Sequence, residues 1–214
     1  MSEAALTSKY GWKEAEAPCS CAYVVPEVLR IVARLGARRV LDLGSGNGAL
    51  CGLLKKEGYA VAGCEYDKNG VDIARATYPD IPFYNFGVQD DPAQLFATEG
   101  KFDLVVSTEV IEHLFSPHQL PIFAGRVLAD DGHLVLSTPY HGYLKNLALS
   151  LTDKWDAHHG PLWHGGHIKF WSRRTLTRLL EENGFEVLEF HGVGRLAYLW
   201  KSMILVCRKR SRRT

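Results

Sequence analysis

The chain has 214 residues, 46 % of them hydrophobic and 23 % charged, with a formal net charge of +1. That suffices for one domain with a substantial core, and so balanced a charge supplies no overall field to draw the chain onto nucleic acid or an anionic membrane. An odd set of cysteines (Cys19, Cys21, Cys51, Cys64, Cys207) with no C-x-x-C pair argues against a disulfide framework or a zinc ribbon.

A single domain over residues 1–214 is expected. Residues 1–24 read as an irregular N-terminal cap whose aromatics, Tyr10, Trp12 and Tyr23, would pack on the body or close over a ligand. Pro26 suits the first position of a helix. Val28, Ile31, Val32 and Leu35 share one face of that helix, and Gly36 ends it. A short apolar strand spans 40–43, and a helix carries Leu50, Leu53 and Leu54 as far as Gly58. Strand 60–64 finishes at Glu65, a helix runs from about 69 to 76, and strands follow at 81–84 and 102–107. Ser116 and Pro117 cap and start a helix with Leu120, Phe123, Val127 and Leu128. The Asp130-Asp131-Gly132 turn leads into a fifth strand, 133–138.

Residues 140–171 break the rhythm. They hold His141, His158, His159, His164 and His167, with Trp155, Trp163 and Trp171, around a short amphipathic stretch at 143–151. A long segment leaving the functional edge of a sheet reads as a lid or substrate pocket. Ser172 then caps a helix with Leu176, Leu179 and Leu180 that stops at Asn183-Gly184. Strands at 185–190 and 202–208 have no helix between them, so they should pair antiparallel. A basic tail, 208–214, follows. Strands alternating with helices give an α/β, doubly wound, mostly parallel sheet that binds ligands at its strand carboxyl ends.

Gly44, Gly46 and Gly48 stand at alternate positions between strand 40–43 and the next helix. Such a turn needs unusual dihedrals and lets backbone lie against a ligand, and the N–H groups of the new helix favour an electron-rich group. Gly44-x-Gly46-x-x-Ala49 also fits a dinucleotide fingerprint, with Glu65 about 20 residues on, where a ribose-binding acid belongs. An NAD-dependent oxidoreductase therefore stays open from this stretch alone.

With Asp42 preceding those glycines, residues 25–209 resemble the class I S-adenosylmethionine (SAM)-dependent methyltransferases. Residues 102–113, ending in Glu109, Glu112 and His113, and residues 167–185 are similar to the subgroup of ubiquinone-biosynthesis O-methyltransferases. The resemblance implies a Rossmann-like seven-stranded sheet with the last strand antiparallel. It puts Asp42, Gly44, Ser45, Gly46 and Gly48 along the methionine part of SAM, and Glu65 on the ribose hydroxyls. Tyr66 would lie on the adenine, with Val88, Gln89 and Asp90 at its edge, and Ser107 and Thr108 beside the sulfonium. SAM would be the cofactor and S-adenosylhomocysteine (SAH) the product.

An oxygen nucleophile must lose a proton, and His113 and His141, both following strand ends, are the candidate bases. If helical, Glu109, Glu112 and His113 would face one way. With His167 they resemble the magnesium site of small-RNA 2′-O-methyltransferases, although the same residues serve relatives as a hydrogen-bonded set, the preferred reading here. His158 and His159 with His164 have zinc-cluster composition; the preferred reading is lid histidines facing solvent or substrate. Methyl transfer to a hydroxyl of an aromatic or lipidic small molecule is expected. The alternatives are N-methylation of a small molecule, a non-catalytic SAM-binding partner protein and the NAD enzyme. Nucleic acid is not an expected partner, and oligomeric state is left open. With no signal-peptide pattern and no apolar run of membrane-spanning length, a cytoplasmic location is expected.

Overall fold

The computed structural model describes residues 12, 16, 18–163 and 165–210; Tyr10, His164 and the last four residues of the basic tail lie outside that set. Seven strands form one sheet in the order β3-β2-β1-β4-β5-β7-β6. They are β1 (Arg39–Leu43), β2 (Ala60–Cys64), β3 (Phe83–Tyr84), β4 (Phe102–Thr108), β5 (Leu128–Pro139), β6 (Phe185–Val193) and β7 (Ser202–Lys209). β1 to β5 are parallel, and β7 runs antiparallel to both β5 and β6. The last strand thus inserts between its two predecessors. Its sequence demands this, since Met203 to Cys207 are all fully buried, and a strand buried on both faces belongs inside a sheet.

Side chains alternate across the sheet into two cores. Along β4, Phe102 and Val105 face one cluster with Phe123, Leu176 and Phe185, while Leu104 and Val106 face the other with Val28, Ile31 and Leu54. The first face is covered by α4 (Ala93–Glu99), α5 (Gln119–Val127) and α8 (Arg173–Glu182). The second is covered by α1 (Cys21–Leu35), α2 (Ala49–Lys56) and α3 (Lys68–Thr77).

Several boundaries differ from the sequence expectation, each for a local reason. α1 begins at Cys21, and Pro26 lies inside it. The helix tolerates the missing N–H because Val24, Val25 and Val28 are buried, and that burial outweighs one lost backbone bond. α4 has a single buried residue, Leu95, so it carries no apolar period to detect. The Asp130-Asp131-Gly132 turn sits inside β5 as an irregularity: Phe102 pairs with Leu128 and Leu104 with His133, with Asp131 at φ 62°. Arg208 and Lys209 belong to β7, where Lys209 Nζ donates to the Leu128 carbonyl at 3.0 Å.

The segment after β5 carries α6 (Tyr143–Leu151) and α7 (Trp155–His159). Its base is stitched to the body, with Tyr140 N–H on the Lys201 carbonyl and His141 N–H on the Trp171 carbonyl, both at 3.0 Å. Ser172 then starts α8 through a capping box with Thr175. No helix among the described residues is long and apolar enough to cross a membrane.

Candidate cofactor and acceptor site

The loop after β1 is fastened to β2: the N–H groups of Gly44 and Ser45 both donate to the Cys64 carbonyl, at 2.8 and 2.9 Å. Gly44 and Gly46 have φ of 85° and 54°, in the left-handed region where side chains are strained. A Cβ on Gly44 would run into Val110, and one on Gly46 into the Trp12 ring. Glycine is therefore required twice over, by dihedral and by space. Of the N-terminal aromatics, Trp12 lies over the glycine loop. The Glu16 backbone carbonyl holds the same loop, accepting from the Asn47 side-chain amide at 2.8 Å.

A cleft opens at the carboxyl ends of β1, β2 and β4. Of the residues singled out from sequence, Asp42, Gly44, Ser45, Gly46, Glu65, Tyr66, Val88, Gln89, Thr108, Glu109 and His113 line it. Sequence reasoning did not assign Cys21, Phe86, Val110 or Leu114 to it. Phe86 carried a signal, because it opens the loop in which Val88 and Gln89 were picked out.

Asp42 is buried under the loop; Oδ2 accepts from the Cys51 thiol at 3.3 Å, and Oδ1 has no hydrogen-bond partner. Burial pushes this carboxyl up to about 7. Glu65 follows β2 directly and accepts Gly46 N–H at 2.8 Å and Asp67 N–H at 2.7 Å, one on each oxygen. Burial raises it despite those bonds, and each oxygen keeps a second lone pair for a hydroxyl.

Four residues expected here do other work. Gly48 packs behind the loop on Phe83 and Ala74. Asp90 turns back to accept Gly87 N–H at 2.7 Å and closes its own turn, outside the cleft lining. Ser107 is buried within the sheet and donates to the Leu43 carbonyl at 2.7 Å, tying β4 to β1. His141 stands outside the cleft beside α7, with its ring 5.9 Å from His158 and 5.4 Å from His159. Burial, followed by Lys145, pushes it down to about 3.

The four residues weighed as a metal set, Glu109, Glu112, His113 and His167, do not all converge. Only Ile111–His113 is helical, as a single 3-10 turn, and Glu109 precedes it at φ 55°. The Glu109 carboxylate turns away and accepts from Ser137 Oγ at 2.9 Å and Ser202 Oγ at 3.1 Å. Burial lifts it to about 7. Glu112, His113 and His167 do converge, with ligand atoms within 4.8 Å of one another. Glu112 accepts from Thr138 Oγ1 at 2.9 Å, its other oxygen lies 3.9 Å from His113 Nε2, and burial raises its carboxyl well above the ordinary range. His113 Nδ1 is 3.3 Å from the Gly166 carbonyl. A carbonyl only accepts, so in this contact Nδ1 is the donor. Burial lowers the basicity of His113 and takes His167 down to about 4.

Residues 16–190 match the family described as "Methyltransferase domain". That span exceeds half of the chain.

The chain belongs to the class I SAM-dependent methyltransferases.

Among relatives of this methyltransferase domain, a Mycolicibacterium smegmatis protein named as a probable SAM-dependent methyltransferase is 31 % identical over 169 residues, covering 77 % of this chain and 60 % of that one. The chain therefore spans less than two thirds of that relative's length. A ubiquinone biosynthesis O-methyltransferase of Aromatoleum aromaticum is 25 % identical over 167 residues, with 75 % and 69 % covered. Among solved structures, magnesium protoporphyrin IX methyltransferase of Synechocystis with bound SAH superimposes with a TM-score of 0.63 at 21 % identity, over 87 % of this chain and 82 % of that one. SAM is the family's cofactor, and this cleft fits it: the partnerless Asp42 oxygen suits an ammonium, the Cβ-free loop suits close backbone approach, and Glu65 suits a diol.

Proposed function

We propose that this methyltransferase moves the methyl group of SAM to a hydroxyl of an aromatic or lipidic small molecule. Bound SAM supplies an electrophilic methyl on a sulfonium. The observation that carries the reading is His113, an imidazole on the cleft wall whose Nδ1 lies 3.3 Å from the Gly166 carbonyl and whose burial disfavours the charged form. Asp42 and the glycine loop hold the amino-acid end, and Glu65 holds the ribose. Such alignment can supply about 7–11 kcal/mol of the barrier to methyl transfer. His113 Nε2 takes the acceptor's proton as the new bond forms. His113 is steadied by the Gly166 carbonyl and by the Trp163 and His167 rings, at 5.9 and 5.0 Å. The lid supports a bulky apolar acceptor, with Tyr143, Leu144, Leu147, Leu151 and Trp155 exposed on α6 and α7. The ubiquinone-pathway relative supports oxygen as the acceptor atom.

The test is calorimetric titration with SAH and, separately, NADH, followed by SAM turnover over matched phenol, alcohol and amine panels. The expected result is SAH binding alone, methylated hydroxyls, and a His113→Ala variant that keeps SAH affinity and loses turnover. Methylation of amines only would move the reading to nitrogen. SAH binding with no turnover on any panel would make the chain a non-catalytic partner, and NADH binding alone would overturn the reading.

A further inference from the structure

Beside the cofactor cleft, the fold gathers three histidines that the methyl-transfer reading does not use. His141 leaves the end of β5 and is buried, while His158 and His159 come from α7. One ring nitrogen of each lies within 4.8 Å of the others. His141 Nε2 and both ring nitrogens of His159 are buried without a hydrogen-bond partner. A buried polar atom left unpaired costs about 1–3 kcal/mol, so three of them in one cluster need a reason. Phe170 walls the cluster, 5.1 Å from the His141 ring and 4.9 Å from His159, and Trp155 lies 4.3 Å from His159.

We propose that His141, His158 and His159 bind a divalent transition-metal ion of the zinc type and so clip the lid helix α7 to the end of β5. The donor set decides the class of ion. Three imidazole nitrogens with no carboxylate do not suit magnesium or calcium, whereas three histidines with one open position suit zinc, cobalt or nickel. Metal–nitrogen bonds of about 2.0–2.1 Å require the three nitrogens to draw in. α7 can make that movement, since it has five residues and, the His159 ring nitrogens apart, is not buried. His141 is the fixed point, held by its N–H on the Trp171 carbonyl. The surrounding charge is mixed: Lys145 acts on all three rings and Arg195 on His158, both against a dication, while Asp156 beside His159 favours one. The site is separate from Glu112, His113 and His167, which include a carboxylate and reach the cleft through His113.

The test uses the full chain after chelation, titrated with Co²⁺ followed by its visible d–d absorption and then displaced with Zn²⁺. The variants are the double substitution His158→Ala/His159→Ala and, as a control for the neighbouring cluster, His167→Ala. The wild type should bind one Co²⁺ with an intense band. The double variant, missing two direct ligands, should lose more than about 100-fold in affinity, beyond what loss of an outer-shell partner costs, and His167→Ala should retain the band. In parallel, Zn²⁺ should slow tryptic cleavage after exposed Lys154 in the wild type and leave the double variant unchanged. SAH affinity of the double variant reports that its body is folded. Equal Co²⁺ binding by the double variant, loss of the band in His167→Ala, or no band in the wild type would each overturn the proposal.

Discussion

Asp42 sits beneath the glycine loop with one oxygen on the Cys51 thiol and the other unpartnered. Its burial makes the charged form costly, which raises its pKa from 3.8 to about 7 in the folded chain. Through that window the folded chain holds a proton that the unfolded chain has lost, so this group's contribution to stability declines as pH rises and is gone above about 7. Buried Glu109, raised from 4.5 to about 7, acts with the same sign. Urea unfolding midpoints of Asp42→Asn should therefore fall less steeply than those of the wild type between about pH 5 and pH 7; parallel profiles would show that Asp42 titrates normally. Glu65 is the other decisive carboxylate. If Glu65 holds the ribose as proposed, Glu65→Ala removes charge-assisted bonds to two hydroxyls and should weaken SAH binding by more than about ten-fold; unchanged affinity by calorimetry would put the ribose elsewhere. The places of both acids were legible in the sequence, Asp42 just ahead of the glycine turn and Glu65 just past strand 60–64. The fate of Glu109 was not. Its spacing to Glu112 and His113 implied a common helical face, but a left-handed backbone at Glu109 rotates its side chain onto Ser137 and Ser202, and Ser202 is far away in sequence.

Elements whose signals are local came through best. α8 was readable from Ser172 at its start, because a capping box is chemistry within four residues. Ser172→Ala should cost roughly 1 kcal/mol in urea unfolding, and no change would mean that packing alone starts the helix. α1 was misread at its start because Pro26 looks like a first-turn residue, and only the packing of Val24 and Val25 reveals that the helix began earlier. The amphipathic stretch at 143–151 coincides with α6, yet its neighbour α7 has no buried face to betray it. The expected lid, 140–171, begins with Tyr140 and His141, which are buried and hydrogen-bonded into the body. The mostly exposed part therefore starts after Gly142, where Lys145 and Leu149 alone of α6 are buried. Substituting residues 143–162 with a Gly/Ser linker should leave SAH affinity unchanged and abolish acceptor methylation. Loss of both would make α6 and α7 part of the core.

At the scale of the whole molecule, β7 is the keystone. It carries ladders to both β5 and β6, and Met203 to Cys207 are shielded on both faces. A chain ending at Lys201 would expose β5 and strand β6, so it should show no cooperative thermal transition by circular dichroism. A cooperative transition would show that β1 to β5 fold alone. The sequence by itself determined the alternation of strands and helices, the glycine loop and the carboxylates near the ends of β1 and β2. These rest on dihedral demands and on periods of two and 3.6 residues, which a short window contains. Only the tertiary structure decided which side chains meet. Trp12 reaches the glycine loop, Glu109 reaches Ser202, His113 reaches Gly166, and His141 joins His158 and His159 while leaving the cleft. Each of these encounters joins residues distant along the chain, or depends on one backbone angle, and neither sequence spacing nor composition encodes where such residues come to rest.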